Sequence, residues 1–288
     1  MISGFGLIKK FGDFTAIDKV SFKFDEGIIG LVGQNGAGKS TLFRMISDVL
    51  SFDDGTIIID DMRHNEVEAK RSLFFLPDDP YVDKNDTIDD MLHFYSNFID
   101  IDTAKFYSFI EKFELDRKRR LNNFSKGMRR QAFIALALST RCKYLLLDEA
   151  FDGLDPITIE SLKSELFAAK EEGKTIVISS HNIAQLERMV DRFVILSAGS
   201  LSEGESDSVS FVKFQAYFTE DVTKEMLESK GIKVVTFQKY GSITNFAVIE
   251  EDGLEEKLSA YNSILLERIP ISGEELITLR MIFLKGTK

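Results

Sequence analysis

The stretch that decides the fold reads Ile28-Ile-Gly-Leu-Val32, then Gly33-Gln-Asn-Gly-Ala-Gly38-Lys39-Ser40, then Thr41-Leu-Phe-Arg-Met-Ile46. A short apolar run, a glycine-rich turn of the form G-x-x-x-x-G-K-[ST], and a helix-period segment follow one another without interruption. That is the strand–loop–helix context in which such a turn binds phosphate. Glycines let backbone N–H groups point inward, and the helix N-terminus adds the positive end of its dipole. The predicted binding set is Gly33, Gln34, Asn35, Gly36, Ala37, Gly38, Lys39, Ser40 and Thr41. Lys39 reaches the β- and γ-phosphates, and the Ser40 hydroxyl ligates Mg²⁺. A glycine turn that binds nothing needs neither the flanking strand nor the helix.

Working outward, short apolar runs alternate with helix-period segments through the first 200 residues. Strand candidates are Ile28–Val32, Thr56–Ile59, Leu73–Leu76, Tyr144–Leu147, Thr175–Ser179 and Phe193–Leu196. The central ones are continuous apolar runs, as in a parallel sheet covered on both faces. Val20–Phe24 alternates instead, which suits a half-exposed strand. The class is α/β with an antiparallel fringe. Between Thr87 and Asn123, Met91, Leu92, Tyr95, Phe98, Phe106, Phe109, Ile110 and Phe113 recur at helical spacing, giving a helical insertion whose aromatic stripe reads as core.

A second acidic element accompanies the phosphate loop. Tyr144-Leu-Leu-Leu-Asp148-Glu149 is an apolar strand ending in two carboxylates. Asp148 is placed to hold Mg²⁺ and Glu149 to polarise an attacking water. Acids at strand ends are common, but with the phosphate loop they predict a chain that binds and hydrolyses a nucleoside triphosphate.

Composition excludes several classes. The chain has 288 residues, a formal net charge of −11 and one cysteine. No internal disulfide can form, and Cys142 reads as a core thiol in a cytosolic setting. No apolar run approaches the roughly 20 residues of a membrane span. Met1–Phe5 lacks the basic start of a signal peptide. The negative charge argues against nucleic acid as a partner. No internal repeat is evident.

Asn122-Asn-Phe-Ser125-Lys-Gly127-Met-Arg-Arg-Gln131 resembles the signature motif of ATP-binding-cassette (ABC) proteins, usually Leu-Ser-Gly-Gly-Gln. Its place shortly before the acidic strand is also that of the family. Ser125 is a good N-cap for the helix over Gln131–Leu138, and Gly127 leaves the backbone open, making a second helix N-terminus suited to an anion. The resemblance implies a P-loop NTPase (RecA-like) core with a helical subdomain. It also implies that Ser125 and Gly127 meet the γ-phosphate of ATP held by the other subunit of a head-to-tail dimer. Gly153-Leu-Asp155-Pro156 resembles the D-loop of that interface. His181, after the strand Thr175–Ser179, stands where the family's switch histidine contacts the γ-phosphate, with Lys39 and Glu149 as its catalytic companions. Phe11 matches the aromatic that stacks on adenine, with Phe14 as the competing candidate.

The signature departs from the usual form at Phe124, Lys126 and Met128, in the manner of bacterial exporter-type (ABC-2-like) cassettes. Lys126 either adds a charge near the opposite nucleotide or faces solvent. Asp78, after Leu76-Pro77, stands where the family's Q-loop glutamine would be, and it is a further candidate Mg²⁺ ligand. The resemblance covers residues 1–205, with the helical subdomain at about 87–138. Ser200–Ser210 reads as a linker. Residues 206–288 read as a small α+β unit of order βαββαβ, with a last helix opened by Ser272-Gly-Glu-Glu275. The implied function is the ATPase subunit of an exporter, using ATP and Mg²⁺ at the cytoplasmic face of the membrane. Its implied partners are a separate transmembrane permease and a second ATPase subunit, identical or not. The permease would dock on the helical segment and the loop at Asp78. The alternatives are a soluble ABC ATPase acting on ribosomes or nucleic acid, and an ATP-gated scaffold with little turnover.

Overall fold

In the computed structural model, which describes residues 1–197, 199–203 and 209–286, two long strands open the chain. These are β1 (Ile2–Phe11) and β2 (Phe14–Phe24). They pair antiparallel, with register shifts around Gly4, Leu7 and Lys9. Those shifts break the period-2 alternation of β1, and for that reason the sequence pattern does not announce it. Next come β3 (Gly27–Val32), α1 (Lys39–Ile46), β4 (Asp54–Ile59), β5 (Met62–Arg63), α2 (Val67–Arg71) and β6 (Leu73–Leu76). β4 pairs antiparallel with β1, so the run Thr56–Ile59 belongs to the fringe. The fringe order is β2-β1-β4-β5.

The helical segment supplies α3 (Ile88–Ser96), α4 (Thr103–Lys112) and α5 (Lys126–Ser139). A capping box starts α3: Thr87 Oγ1 accepts from Asp90 N–H, and Asp90 accepts from Thr87 N–H at 2.9 Å. Met91, Leu92, Phe106, Phe109 and Ile110 are buried. Phe98, expected in the core, is 65% exposed and packs at a tilt against Phe94, itself 58% exposed. The stripe is therefore only partly core.

Then follow β7 (Tyr144–Asp148), α6 (Pro156–Glu171), β8 (Thr175–Ser180), α7 (Ile183–Glu187), β9 (Arg192–Ser197) and β10 (Ser200–Glu203). The second sheet has the order β10-β9-β3-β8-β7-β6. Its strands β9, β3, β8, β7 and β6 are parallel. Every residue of β3, β7 and β8 is buried, as two-sided helix cover requires. The fully buried Phe43 of α1 packs in one core with Tyr144 and Leu146 of β7. A side chain of that size contributes about 1.5–3 kcal/mol by leaving water. The C-terminal ends of β3, β7 and β8 lie side by side, the place where open α/β sheets bind ligands. β10 starts inside the stretch expected as a linker, and residues 204–208 of that stretch lie outside the described residues.

Contacts divide the chain into two units, Met1–Ser202 and Glu203–Lys288. The second unit contains β11 (Phe211–Phe218), α8 (Lys224–Ser229), β12 (Val234–Tyr240), β13 (Ile243–Ile249), α9 (Leu254–Ser259), β14 (Ser263–Ile269) and α10 (Gly273–Gly286). Its sheet is antiparallel, in the order β12-β13-β11-β14, which is that of a split β-α-β fold. Phe214, Phe246, Leu227, Leu258 and Tyr261 share its core.

Candidate functional site

α1 starts directly at Lys39, with Gly38 before it at φ 105°. A Cβ on Gly38 would lie 2.9 Å from the Ala16 carbonyl, and one on Gly33 would lie 2.3 Å from that of Leu196. Gly36 is also left-handed, at φ 80°. The loop can take this path only with glycine at these points. It walls a groove of 370 Å³ lined by Phe11, Phe14, Ala16, residues 35–41, Asp78 and Glu149. Phe11 and Phe14 are register partners at the closed end of the β1–β2 hairpin. Both are exposed on the lip of the groove, so the geometry keeps both as candidates for stacking a base.

Lys39 is the only cation among the lining residues. Its Nζ donates to the carbonyl of Gly33 at 2.8 Å and to that of Gln34 at 3.4 Å, and it lies 3.2 Å from Glu149 Oε1. Glu149 has a left-handed backbone, φ 45°, a strained state for a non-glycine residue and one that collects at functional sites. Its Oε2 lies 2.9 Å from His181 Nδ1 and accepts from His181 N–H at 3.3 Å. Lys39, Glu149 and His181 thus form one chain of contacts.

Asp148 ends β7 in the interior. Burial pushes its carboxyl pKa up, the charges of Glu149 and Asp78 push the same way, and hydrogen bonds from Ser179 and Ser40 oppose them. Ser179 was not foreseen. Its Oγ donates to Asp148 Oδ1 at 2.5 Å and accepts from Glu149 N–H at 2.9 Å. One hydroxyl therefore fixes both acids. The cross-strand register that pairs Asp148 with Ser179 is the only signal that could have found it.

A magnesium ion is implied by the phosphate loop. Ser40 and Asp148 bring hard oxygen donors together, close enough for the Ser40 hydroxyl to help hold the Asp148 pKa down. Among the described residues no three of His, Cys, Asp and Glu form a metal cage. Two oxygen ligands plus phosphates and water is how Mg²⁺ is usually held, so the residues fit. Asp78, the further candidate ligand, lines the same groove, and its Oδ1 accepts from Arg130 Nη2 at 2.7 Å.

Ser125, Gly127 and Asp155 do not line this groove. Ser125 caps α5, accepting from Met128 N–H at 3.1 Å. Gly127 lies against the Gly153 carbonyl, 3.0 Å from where a Cβ would be. Asp155 caps α6, accepting from Ile157 N–H and Thr158 N–H at 3.0 Å each. Lys126 faces solvent, one of the two expected placements, with its side chain 57% exposed and paired with Asp152 at 2.5 Å.

A glycine-cradled lysine, a hydroxyl and two strand-end acids at the C-terminal edge of a parallel sheet define a P-loop nucleotide triphosphatase. The family model for ABC transporters matches residues 17–152. The lantibiotic transport ATP-binding protein SrtF of Streptococcus pyogenes is 30% identical over 198 residues, 68% of this chain and 86% of that protein. The lipopolysaccharide export system ATP-binding protein LptB of Escherichia coli is 30% identical over 207 residues, 68% and 86% of the two chains. MJ0796, an ABC transporter cassette solved as a dimer, shares the fold at a TM-score of 0.62 and 22% identity, over 70% of this chain and 98% of that one. The chain belongs to the ATP-binding subunits of ABC transporters and is an ATP hydrolase. No helix among the described residues is long and apolar enough to cross a membrane.

Proposed function

We propose that the chain hydrolyses Mg-ATP between two cassettes and drives export through a separate membrane permease. The observation that carries this reading is the chain of contacts from Lys39 through Glu149 to His181, with Asp148 and Ser179 behind it. In this reading Lys39 leaves the Gly33 and Gln34 carbonyls for the β- and γ-phosphates. Glu149, released from Lys39, takes a proton from the attacking water. His181, oriented by the same carboxylate, contacts the γ-phosphate. Ser40 and Asp148 hold Mg²⁺, which neutralises phosphate charge when bound. Phe11 or Phe14 stacks on the base.

The other half of the site comes from a second copy or a sister subunit. Ser125 and Gly127 sit at a helix N-terminus outside the groove of their own chain, which suits a γ-phosphate held by a partner. Two relatives named for transport or export, and a related cassette solved as a dimer, support the same reading. Exposed aromatics on the helical segment, Phe94 and Phe98, with Tyr81 in the loop after Asp78, suit docking of the permease at the cytoplasmic face of the membrane.

Complementation between subunits tests the shared site. Lys39→Ala and Ser125→Arg are each expected to be inactive alone. Mixed, they form heterodimers with one intact site, built from Lys39 of the Ser125→Arg subunit and Ser125 of the Lys39→Ala subunit. Part of the ATPase activity therefore returns on mixing. A mixture as inert as its components contradicts the composite site.

A further inference from the structure

Arg130 lies in α5, five positions beyond the Ser125 cap, and its side chain is only 2% exposed. Its Nη2 donates to Asp78 Oδ1 at 2.7 Å, and its Nη1 is 3.4 Å from the Pro77 carbonyl and 3.5 Å from that of Asp148. One guanidinium thus touches the helix behind the signature motif, the loop after β6 and the end of β7. An arginine withdrawn this far from water must be matched by a carboxylate or carbonyls, because unpaired burial of its charge is strongly unfavourable. Among the described residues, Asp78 is the one carboxylate in ion-pair contact with it. The nearby Lys126 is already engaged by Asp152.

From the other side, Asp78 lines the groove that holds Lys39, together with Glu149, and Asp148 stands just behind. A free third carboxylate there would repel the phosphates of a bound nucleotide. Bonded to Arg130, it becomes half of a neutral unit whose planar fork also fixes the direction of the loop.

We propose that Arg130 and Asp78 form a neutral latch, in which Arg130 is a positioning residue that ties the loop after β6 to α5 and withdraws the Asp78 charge from the phosphates and Mg²⁺. The proposal rests on the ATPase reading above and replaces Asp78 as a metal ligand. It predicts an asymmetry. Removing the arginine frees a negative charge beside the nucleotide, so binding suffers. Removing the aspartate strands a buried cation, so stability suffers while binding does not.

The experiment uses the full chain as wild type, Asp78→Asn, Arg130→Gln and the double variant. Thermal unfolding is measured without nucleotide or metal, and binding of a fluorescent ATP analogue is measured with Mg²⁺ and with EDTA. Arg130→Gln is expected to weaken binding about 10-fold, and the double variant to recover most of that loss. Asp78→Asn is expected to lower Tm by about 5 °C while binding stays within about 2-fold. Both patterns hold in EDTA. Affinity lost by Asp78→Asn only when Mg²⁺ is present, unaffected by Arg130→Gln, would overturn the latch and restore Asp78 as a ligand. Strictly additive effects in the double variant overturn it as well. Should Arg130→Gln fail to fold, Arg130→Lys, which keeps the charge and loses the fork, gives the same comparison. If wild type binds no ATP, the ATPase reading fails, and the thermal half of the cycle still decides the latch.

Discussion

Lys39→Ala is expected to abolish ATP binding, with affinity falling about 100-fold or more. Lys39 is the sole cation lining the groove, and its side chain is 6% exposed. Without it, the triphosphate would meet no cationic side chain among the lining residues and would face Glu149 without its ion-pair partner. The lysine is held ready inside the loop by the Gly33 and Gln34 carbonyls, so little has to be reorganised when the phosphates replace those partners. Equilibrium binding of a labelled nucleotide measures the effect. Affinity retained within a few-fold would sink the assignment of the loop.

Glu149→Gln is expected to slow hydrolysis by about 10²–10⁴-fold, the usual contribution of a general base, and to leave ATP binding intact. The amide keeps the size of the side chain and can still meet His181, but it cannot accept the proton of the attacking water. The Glu149 N–H bond to Ser179 is a backbone contact and survives the change, so the left-handed turn is preserved. ATP that is bound but not cleaved holds two cassettes together, so the variant accumulates as a dimer in Mg-ATP. Single-turnover hydrolysis and light scattering read the two effects. Wild-type turnover, or a monomer in Mg-ATP, contradicts the role given to Glu149.

Much of the architecture was legible because its determinants are local in the chain. β3, its glycines and α1 are contiguous, and buried parallel strands such as Tyr144–Leu147 show as unbroken apolar runs. β1 was not legible: its register shifts scramble the alternation that marks a half-buried strand. Phe98 misled because helical spacing says which residues share a face, and not whether anything covers that face. At the site, residues carried by a motif could be named in advance, whereas those that orient them could not. Ser179 holds Asp148 and Glu149 through a cross-strand register. Arg130 reaches Asp78 across 52 positions of sequence. Neither residue type nor spacing encodes such pairs, because the sheet and helix must form before the partners meet.

In the proposed function this ABC cassette drives export through a separate membrane permease. The most direct test is recovery of the tagged chain from detergent-solubilised membranes of its native cell in Mg-ATP, with the co-purifying proteins identified and their stoichiometry measured. The expected result is a polytopic membrane protein in stoichiometric amount. Recovery of ribosomes or soluble partners alone would contradict the transporter reading and leave a soluble ATPase in its place.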